Sequence, residues 1–467
     1  MNTSILVRAI TLMFLSLALM IVYFMNGNSP TTVPVSLSLL VLSSLVLNYN
    51  RDPFSPEIPI SAYYVVMIFF GLGVLACRDP QFFHENKYGE VMFLSMLAYG
   101  ALHVGIFFSK LLRKKDSSRN ICQCNEVNNC RYQYELDFQA MFITLLFFFA
   151  LSAIGGIVFV ERAGAIPILS KTKNFARVEA FSIPSNGYFF HIMQFALWAF
   201  LVHSVVFFYY KREGGVSSAR HTFVSLCLLF GSFVFTASLL TLTGSRRFVL
   251  LCIFFLIAAR HYVVKPFRIK WLVVTGSLGI AYITFFEIFR NPGKETTESF
   301  FVAFYFRLVT YIGNFEKLLS VIPSQYPFMH GKTFYMDILT MLPGKQMDYQ
   351  SWVKMVTGQH FEGFGAPPTL AGDLYANFGT WGVVIGSFLV GFLAREAYNH
   401  LIIRRKTPWS IVLYVALLTR FIPIVTSGLS TQINLCTVML FKLICIAVSY
   451  ALARYLLRNL RRSSYVT

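Results

Sequence analysis

Runs of about twenty apolar residues recur along the whole chain, and they constrain its fold more than any other feature. A soluble domain cannot bury so many runs, whereas each is long enough to cross the hydrocarbon core of a bilayer as a helix. Of the 467 residues, 56% are hydrophobic and only 13% are charged. The sequence therefore predicts an all-α polytopic membrane protein.

We count about twelve apolar segments of spanning length. They divide the chain into residues 1–289 with nine spans, a large extramembrane cap at 290–375, and residues 376–467 with three spans and a basic tail. The first segment is too long for the apolar core of a signal peptide and lacks a clear cleavage site, so we interpret it as a transmembrane helix. The segments lie near residues 5–25, 32–48, 59–77, 90–109, 138–160, 188–209, 222–243, 248–264, 271–289, 376–397, 409–426 and 433–456.

The distribution of lysine and arginine predicts the orientation of the spans. If the N-terminus is cytoplasmic, every dense basic cluster falls in a loop on the same face, as the positive-inside rule requires. This arrangement also accounts for the net charge of +19 without a nucleic-acid partner. Both termini are then cytoplasmic, and the cap between the ninth and tenth spans is periplasmic.

The cap is the longest departure from apolar segments, from about Phe289 to Gly379. A structureless loop of this length would be unusual, so we expect a small folded region. Between Phe300 and Ile322 the apolar residues recur at helical spacing, and Pro323 follows. The pattern predicts a helix that either lies in the membrane interface or packs the cap onto the spans.

Arginines in the outer loops require an explanation, because basic residues are expected to be scarce there. Arg177 lies in the loop after the fifth span, and Arg246 and Arg247 are adjacent in a tight turn. A guanidinium can bind two phosphate oxygens at once, so these residues point to a phosphate-bearing, lipid-linked substrate. Contact with lipid headgroups is the alternative for each of them.

Three further arginines are candidates for the same site. Arg290 and Arg307 belong to the cap, and Arg420 lies inside an apolar span. A charge within the membrane marks a functional site by default, although a structural ion pair, with Glu287 as the nearest acid, explains Arg420 equally well.

Asp373, Glu362 and His360 are the candidate general bases. Asp373 lies where a proline-rich turn meets the next apolar helix, and the other two lie in a glycine-rich loop. N-terminal helix capping is the alternative role for Asp373, and a surface position is the alternative for the other two. The sequence contains no metal-binding or nucleotide-binding motif, so we expect no metal and no other cofactor, and cationic side chains would take the metal's role.

The outer-loop motifs resemble those of the bacterial oligosaccharide repeat-unit polymerases, also called O-antigen polymerases. Their order and their placement in the loops carry the resemblance, rather than any single motif. The matching residues are the Ile166-Pro167 loop with Ala176-Arg177-Val178-Glu179 and Gly187, the Gly244-Ser245-Arg246 turn, the helix around Arg307 and Tyr311, Gly331-Lys332-Thr333-Phe334, Pro367-Pro368-Thr369, and Gly372 to Gly379 with Asp373 and Tyr375.

The resemblance implies a glycosyltransferase of the multi-span GT-C type. Such enzymes transfer a growing glycan from one undecaprenyl diphosphate to the sugar of another lipid-linked repeat unit, at the periplasmic face of the inner membrane. The family's loop arginines correspond to Arg177 and Arg246, and Glu179 and Tyr375 complete the predicted substrate-binding set. Asp373 stands where the family often has glutamate. The expected partners are the donor and acceptor glycans, the lipid bilayer and a chain-length regulator membrane protein.

Three other functions remain open at this point. A ligase of related architecture would differ only in its acceptor. A flippase or transporter of lipid-linked sugar is expected to show an internal repeat and charged groups at the membrane midplane, and we see no such repeat. In a structural scaffold for polysaccharide assembly, the outer arginines would be dispensable.

Overall fold

The computed structural model describes residues 52–69, 71–72, 87–120, 138–170, 173–212, 219–245, 247–267, 300–342, 346–360 and 365–463, with isolated positions between 274 and 282. All regular structure in these residues is helical. The predicted spans at 5–25 and 32–48 lie outside the described residues, as does most of the span at 271–289.

Within the described part of the chain, six helices are long and apolar enough to cross a membrane. They confirm the prediction of a multi-pass, all-helical membrane protein, while the count of twelve spans stays a prediction. The six are Tyr88–Leu112, Gln139–Ala163, Asn186–Arg212, Phe223–Thr241, Thr369–Arg405 and Ile424–Leu460, and two shorter apolar helices are Glu57–Phe69 and Pro408–Phe421.

We number the α-helices in chain order. They are α1 (Glu57–Tyr64), α2 (Tyr88–Asn120), α3 (Phe138–Ala163), α4 (Lys173–Ser182), α5 (Asn186–Met193), α6 (Phe195–Arg212), α7 (Ala219–Thr241), α8 (Arg247–Val263), α9 (Phe300–Val321), α10 (Lys332–Leu339), α11 (Tyr349–Val356), α12 (Thr369–Tyr398), α13 (Pro408–Phe421) and α14 (Ile424–Ser463). The chain forms two compact units. The first unit is Met1–Lys114, Thr296–His400 and Leu417–Leu435, and the second unit is Lys115–Glu295, Leu401–Ala416 and Cys436–Thr467.

The first unit has a continuous apolar core built from α1, α2, α9, α11 and α12. Helix α9 confirms the amphipathic helix predicted in the cap, and it ends at Val321, before Pro323. Its buried residues include Ile312, Phe315 and Leu318, which belong to that core. The C-terminal half of α9 therefore packs the cap onto the unit, as the second of the two sequence interpretations proposed.

Two of the long helices are broken by glycine. Helix α12 has non-helical angles at Phe378 and at Gly379, where φ is 63° and ψ is −153°. Helix α14 is broken at Gly428, where φ is 82° and ψ is 166°. Side chains with a Cβ are essentially excluded from this combination of angles, so glycine permits both breaks. Helix α12 begins at Thr369, earlier than the start near residue 376 predicted for this span.

Candidate functional site

Arg177 lies beside the Gly244 turn in the second unit. The segment predicted as a loop is instead helical, and Arg177 is half-buried in the middle of α4. A Cβ built on Gly244 would lie 3.8 Å from the Arg177 Cδ, so the arginine stem passes over a position that lacks a side chain. Gly244 has a φ of 75°, which a larger residue adopts only with strain. The turn therefore brings Arg177 close to the start of α8 at Arg247.

A cluster of phenylalanines supports these arginines. The Arg177 Cζ lies 5.9 Å from the centre of the Phe181 ring, and the Arg247 Cζ lies 4.9 Å from that of Phe248. Both rings contact Phe190, with centroid distances of 5.0 Å to Phe181 and 6.0 Å to Phe248. Aromatic faces attract guanidinium groups. The N–H bonds of a guanidinium lie in its plane, so they stay available to donate to phosphate oxygens. In the second unit, Arg177 and Arg247 therefore pack on the same cluster of phenylalanine rings.

The other predicted substrate-binding residues are more scattered. Glu179 is exposed on α4 and lies about 200° around the helix axis from Arg177, so it faces away from it. Arg420 is half-buried near the end of α13, and the Tyr375 ring is buried against Phe328 in the first unit. Outside the described residues lie Arg246, Arg290, Glu287 and Glu362, together with the side chain of Arg307.

Asp373 is completely buried in the first unit. Its Oδ2 accepts a hydrogen bond from the Ser430 backbone N–H at 2.7 Å. Its Oδ1 accepts hydrogen bonds from Ser430 Oγ at 2.8 Å, from Thr333 Oγ1 at 3.2 Å and from Asn377 Nδ2 at 3.2 Å. One carboxylate thus connects α10, α12 and α14. These donors offset part of the cost of burying the carboxylate.

The capping role of Asp373 applies to a different helix from the one predicted. Helix α12 begins at Thr369 after Pro368, and the Gly372 N–H in its first turn donates to Thr369 Oγ1 at 3.3 Å, so Asp373 does not cap it. Asp373 instead receives the Ser430 N–H, directly after the Gly428 break, where the second part of α14 begins. The first N–H groups of a helix have no partners within it, so a carboxylate from elsewhere stabilises this start. Capping of its own helix, the alternative role considered for Asp373, does not apply because that helix starts earlier.

The cap supplies hydrogen bonds where α12 is broken. The backbone N–H groups of Met329 and His330 donate to the carbonyl oxygens of Ala376 at 2.9 Å and Asn377 at 3.0 Å. The Gly331 N–H donates to the Asn377 side-chain oxygen at 2.9 Å. Carbonyl groups released by a break in a membrane helix need such partners, because lipid offers none. The cap segment at residues 329–331 therefore stabilises the break in α12 by satisfying its carbonyl groups.

A family model described as "Putative O-antigen polymerase" matches residues 10–441, nearly the whole chain. The chain belongs to the O-antigen polymerase family. The resemblance inferred from the outer-loop motifs is therefore confirmed. No curated protein and no solved structure matches the chain.

This family member carries a second buried carboxylate that the sequence analysis missed. Asp337 is buried on α10, and its Oδ1 accepts a hydrogen bond from the Tyr349 backbone N–H at 2.5 Å, at the start of α11. Burial raises the pKa of the Asp337 carboxyl above its ordinary value. Burial also raises the pKa of Tyr349, and the Asp373 charge adds to that shift. The signal in the sequence was the polar pair Thr333 and Asp337, one helical turn apart.

Charged side chains in or beside the apolar segments were also missed. In the first unit, the Glu57 carboxylate is 2.9 Å from Lys110 Nζ and 3.0 Å from Arg395 Nη1. In the second unit, the buried Lys442 Nζ donates to Gln194 Oε1 at 2.7 Å. These groups lie far apart in the sequence, so only their packing reveals the pairings. Polar partners of this kind make buried charges tolerable in a membrane protein.

Substituting Asp373 with asparagine separates its structural role from a role as the base. If the carboxylate holds α10 and α14 together, Asp373→Asn should lower the unfolding free energy by about 1–3 kcal/mol, because at least one donor then faces an amide N–H₂ group. The thermal unfolding midpoint of the purified protein measures this effect. A variant with unchanged thermal stability and no polymerising activity would instead assign Asp373 to the chemistry.

Proposed function

We propose that this protein polymerises oligosaccharide repeat units carried on undecaprenyl diphosphate, by metal-independent glycosyl transfer at the periplasmic face of the inner membrane. One observation carries the proposal, namely the packing of Arg177 on the Gly244 turn that leads to Arg246 and Arg247. This arrangement gathers cations from two outer loops on one unit of a protein of the O-antigen polymerase family. A diphosphate needs cations gathered in this way.

The reaction places specific demands on these cations. A hydroxyl oxygen of the acceptor sugar attacks the anomeric carbon of the donor glycan, and the bond from that carbon to the diphosphate oxygen breaks. Negative charge therefore grows on the departing diphosphate. Arg177 and its neighbours stabilise that charge more strongly at a poorly hydrated membrane boundary than they would in water. The undecaprenyl diphosphate leaves as an anion, and the proton of the hydroxyl passes to a base.

The burial of Asp373 argues against this residue as that base. Asp373 is 0% exposed, and its carboxylate already accepts hydrogen bonds from three side chains and one backbone N–H. A general base must come within hydrogen-bond reach of the hydroxyl proton. His360 is exposed on the cap, and Glu362 follows it in the same loop. Asp373 therefore takes a positioning role in this proposal, and His360 and Glu362 are the candidates for the base.

Reconstituted protein, purified lipid-linked repeat units and a lipid core acceptor test the proposal directly. We expect a ladder of glycans that differ by one repeat unit, formed equally well with and without EDTA. A single transfer to a lipid core, with no ladder, would identify a ligase. Movement of the lipid-linked unit across the vesicle membrane without any new glycosidic bond would identify a flippase. Either result would overturn polymerisation.

A further inference from the structure

Helix α10 buries polar side chains and exposes apolar ones, the reverse of the pattern usual for a helix on the surface of a soluble protein. Its inward residues, Thr333 and Asp337, are polar and buried. Its outward face is apolar, and the exposed large side chains there and in the following turn are Tyr335, Ile338, Leu339 and Leu342. These positions follow the i, i+3, i+4, i+7 spacing of one helix face. A face of this kind is unfavourable in water, so it indicates apolar surroundings outside the protein.

The exposed face of α10 continues into a membrane-spanning surface. The Phe334 ring on α10 lies 6.3 Å from the Phe378 ring at the break in α12. From that break, exposed apolar side chains follow α12 at every fourth position, namely Trp381, Ile385, Leu389 and Leu393. This stripe belongs to one of the six spanning helices, so it faces lipid. Trp381, 75% exposed at its outer end, suits the aromatic belt at the membrane interface.

We propose that α10 and its following turn lie in the lipid of the outer leaflet, with Leu339 and Leu342 inserted among the acyl chains. The polar face of the same helix carries Thr333, which bonds Asp373, and Asp337, which bonds the start of α11. Lys332 is exposed at the first residue of α10, where its long stem reaches the headgroups. This part of the cap is thus inserted in the membrane. Lipid contacts the apolar face of α10, while its polar face makes the hydrogen bonds to Asp373 and α11.

Site-specific photo-crosslinking in the full-length protein tests this placement. We would introduce benzoylphenylalanine singly at Leu339 and Leu342, irradiate native membranes and identify adducts by mass spectrometry. Ile385 on the α12 stripe is the matched lipid-facing control, and Gln325, exposed in the turn after α9, is the matched polar control. We expect phospholipid adducts at Leu339 and Leu342 in yields similar to Ile385 and several-fold above Gln325.

Other outcomes would overturn the proposal. An adduct of twice the chain mass would identify a second copy as the occupant, and an adduct with another protein would identify a partner. A yield no higher than at Gln325 would place α10 in water. Tyr335, 50% exposed on the same face, replaces any position at which the protein fails to accumulate. None of these readings depends on polymerising activity, so failure here and failure of the proposed function are distinguishable.

Discussion

Replacing Arg177 with alanine is expected to lower the polymerisation rate by about 10²- to 10³-fold, the loss typical when one preorganised group is removed from a developing oxyanion. Arg177→Lys should recover only part of the rate, since an ammonium cannot bind two phosphate oxygens in the planar geometry of a guanidinium. The rate of ladder formation by reconstituted protein measures both effects. The polysaccharide length distribution in cells gives a second measure.

Arg162 provides a matched control for Arg177. It is also an arginine of the second unit, its Cζ lies 5.5 Å from the Phe189 ring centre, and it donates to the Pro184 carbonyl. It is exposed, and it lies at the end of α3 rather than on α4. Arg162→Ala should leave polymerisation nearly unchanged. Equal losses from the two alanine variants would point to general surface charge, and full activity of Arg177→Ala would remove the diphosphate role.

Gly428→Ala is expected to have the largest effect on stability. Its backbone angles cost a residue with a Cβ about 1–3 kcal/mol. The added Cβ would also lie 2.8 Å from Asp373 Oδ2 and 3.0 Å from Asp373 Cβ. Overpacking of this kind adds about 1–3 kcal/mol. We therefore expect a marked fall in the unfolding midpoint and in the yield of folded protein.

Two other glycines separate the contributions to this effect. Gly164 has a φ of 67° but open space around its Cβ position, so Gly164→Ala should show backbone strain alone. Gly313 lies within α9 and also has open space, so Gly313→Ala should be neutral or slightly stabilising. Gly428→Ala should be the least stable of the three. If Gly428→Ala and Gly164→Ala had equal unfolding midpoints, the side chain of Asp373 would be able to move away from the added Cβ at no cost in stability.

The sequence was sufficient for the architecture and for part of the candidate site. Apolar runs of spanning length, the helical spacing in α9 and Pro323 after its end are local patterns, and the structure confirms the helices they predict. Arg177 and the Gly244 turn were identified separately because basic residues are unexpected in outer loops. Family membership followed from the order of the motifs.

The site's detailed arrangement could not be predicted in the same way. Thr333, Asp373 and Ser430 come from three distant segments, and nothing in their separate sequence contexts shows that they bond. Asp337 was not identified from the sequence, because only the structure shows its buried hydrogen bond to the start of α11. The helix at α4 replaced a predicted loop because its short, polar sequence carries no spanning signal.

The sequence alone determined that this chain spans a membrane as helices and belongs to the O-antigen polymerase family, because apolar length and motif order are read along the chain. Only the tertiary structure decided that Asp373 is buried and caps the second part of α14, and that Arg177 rests on Gly244. The physical reason lies in the backbone breaks at Gly379 and Gly428 and in the turn at Gly244. These backbone features bring polar groups from distant segments into contact. The contacts depend on tertiary packing, which local sequence propensity does not reveal.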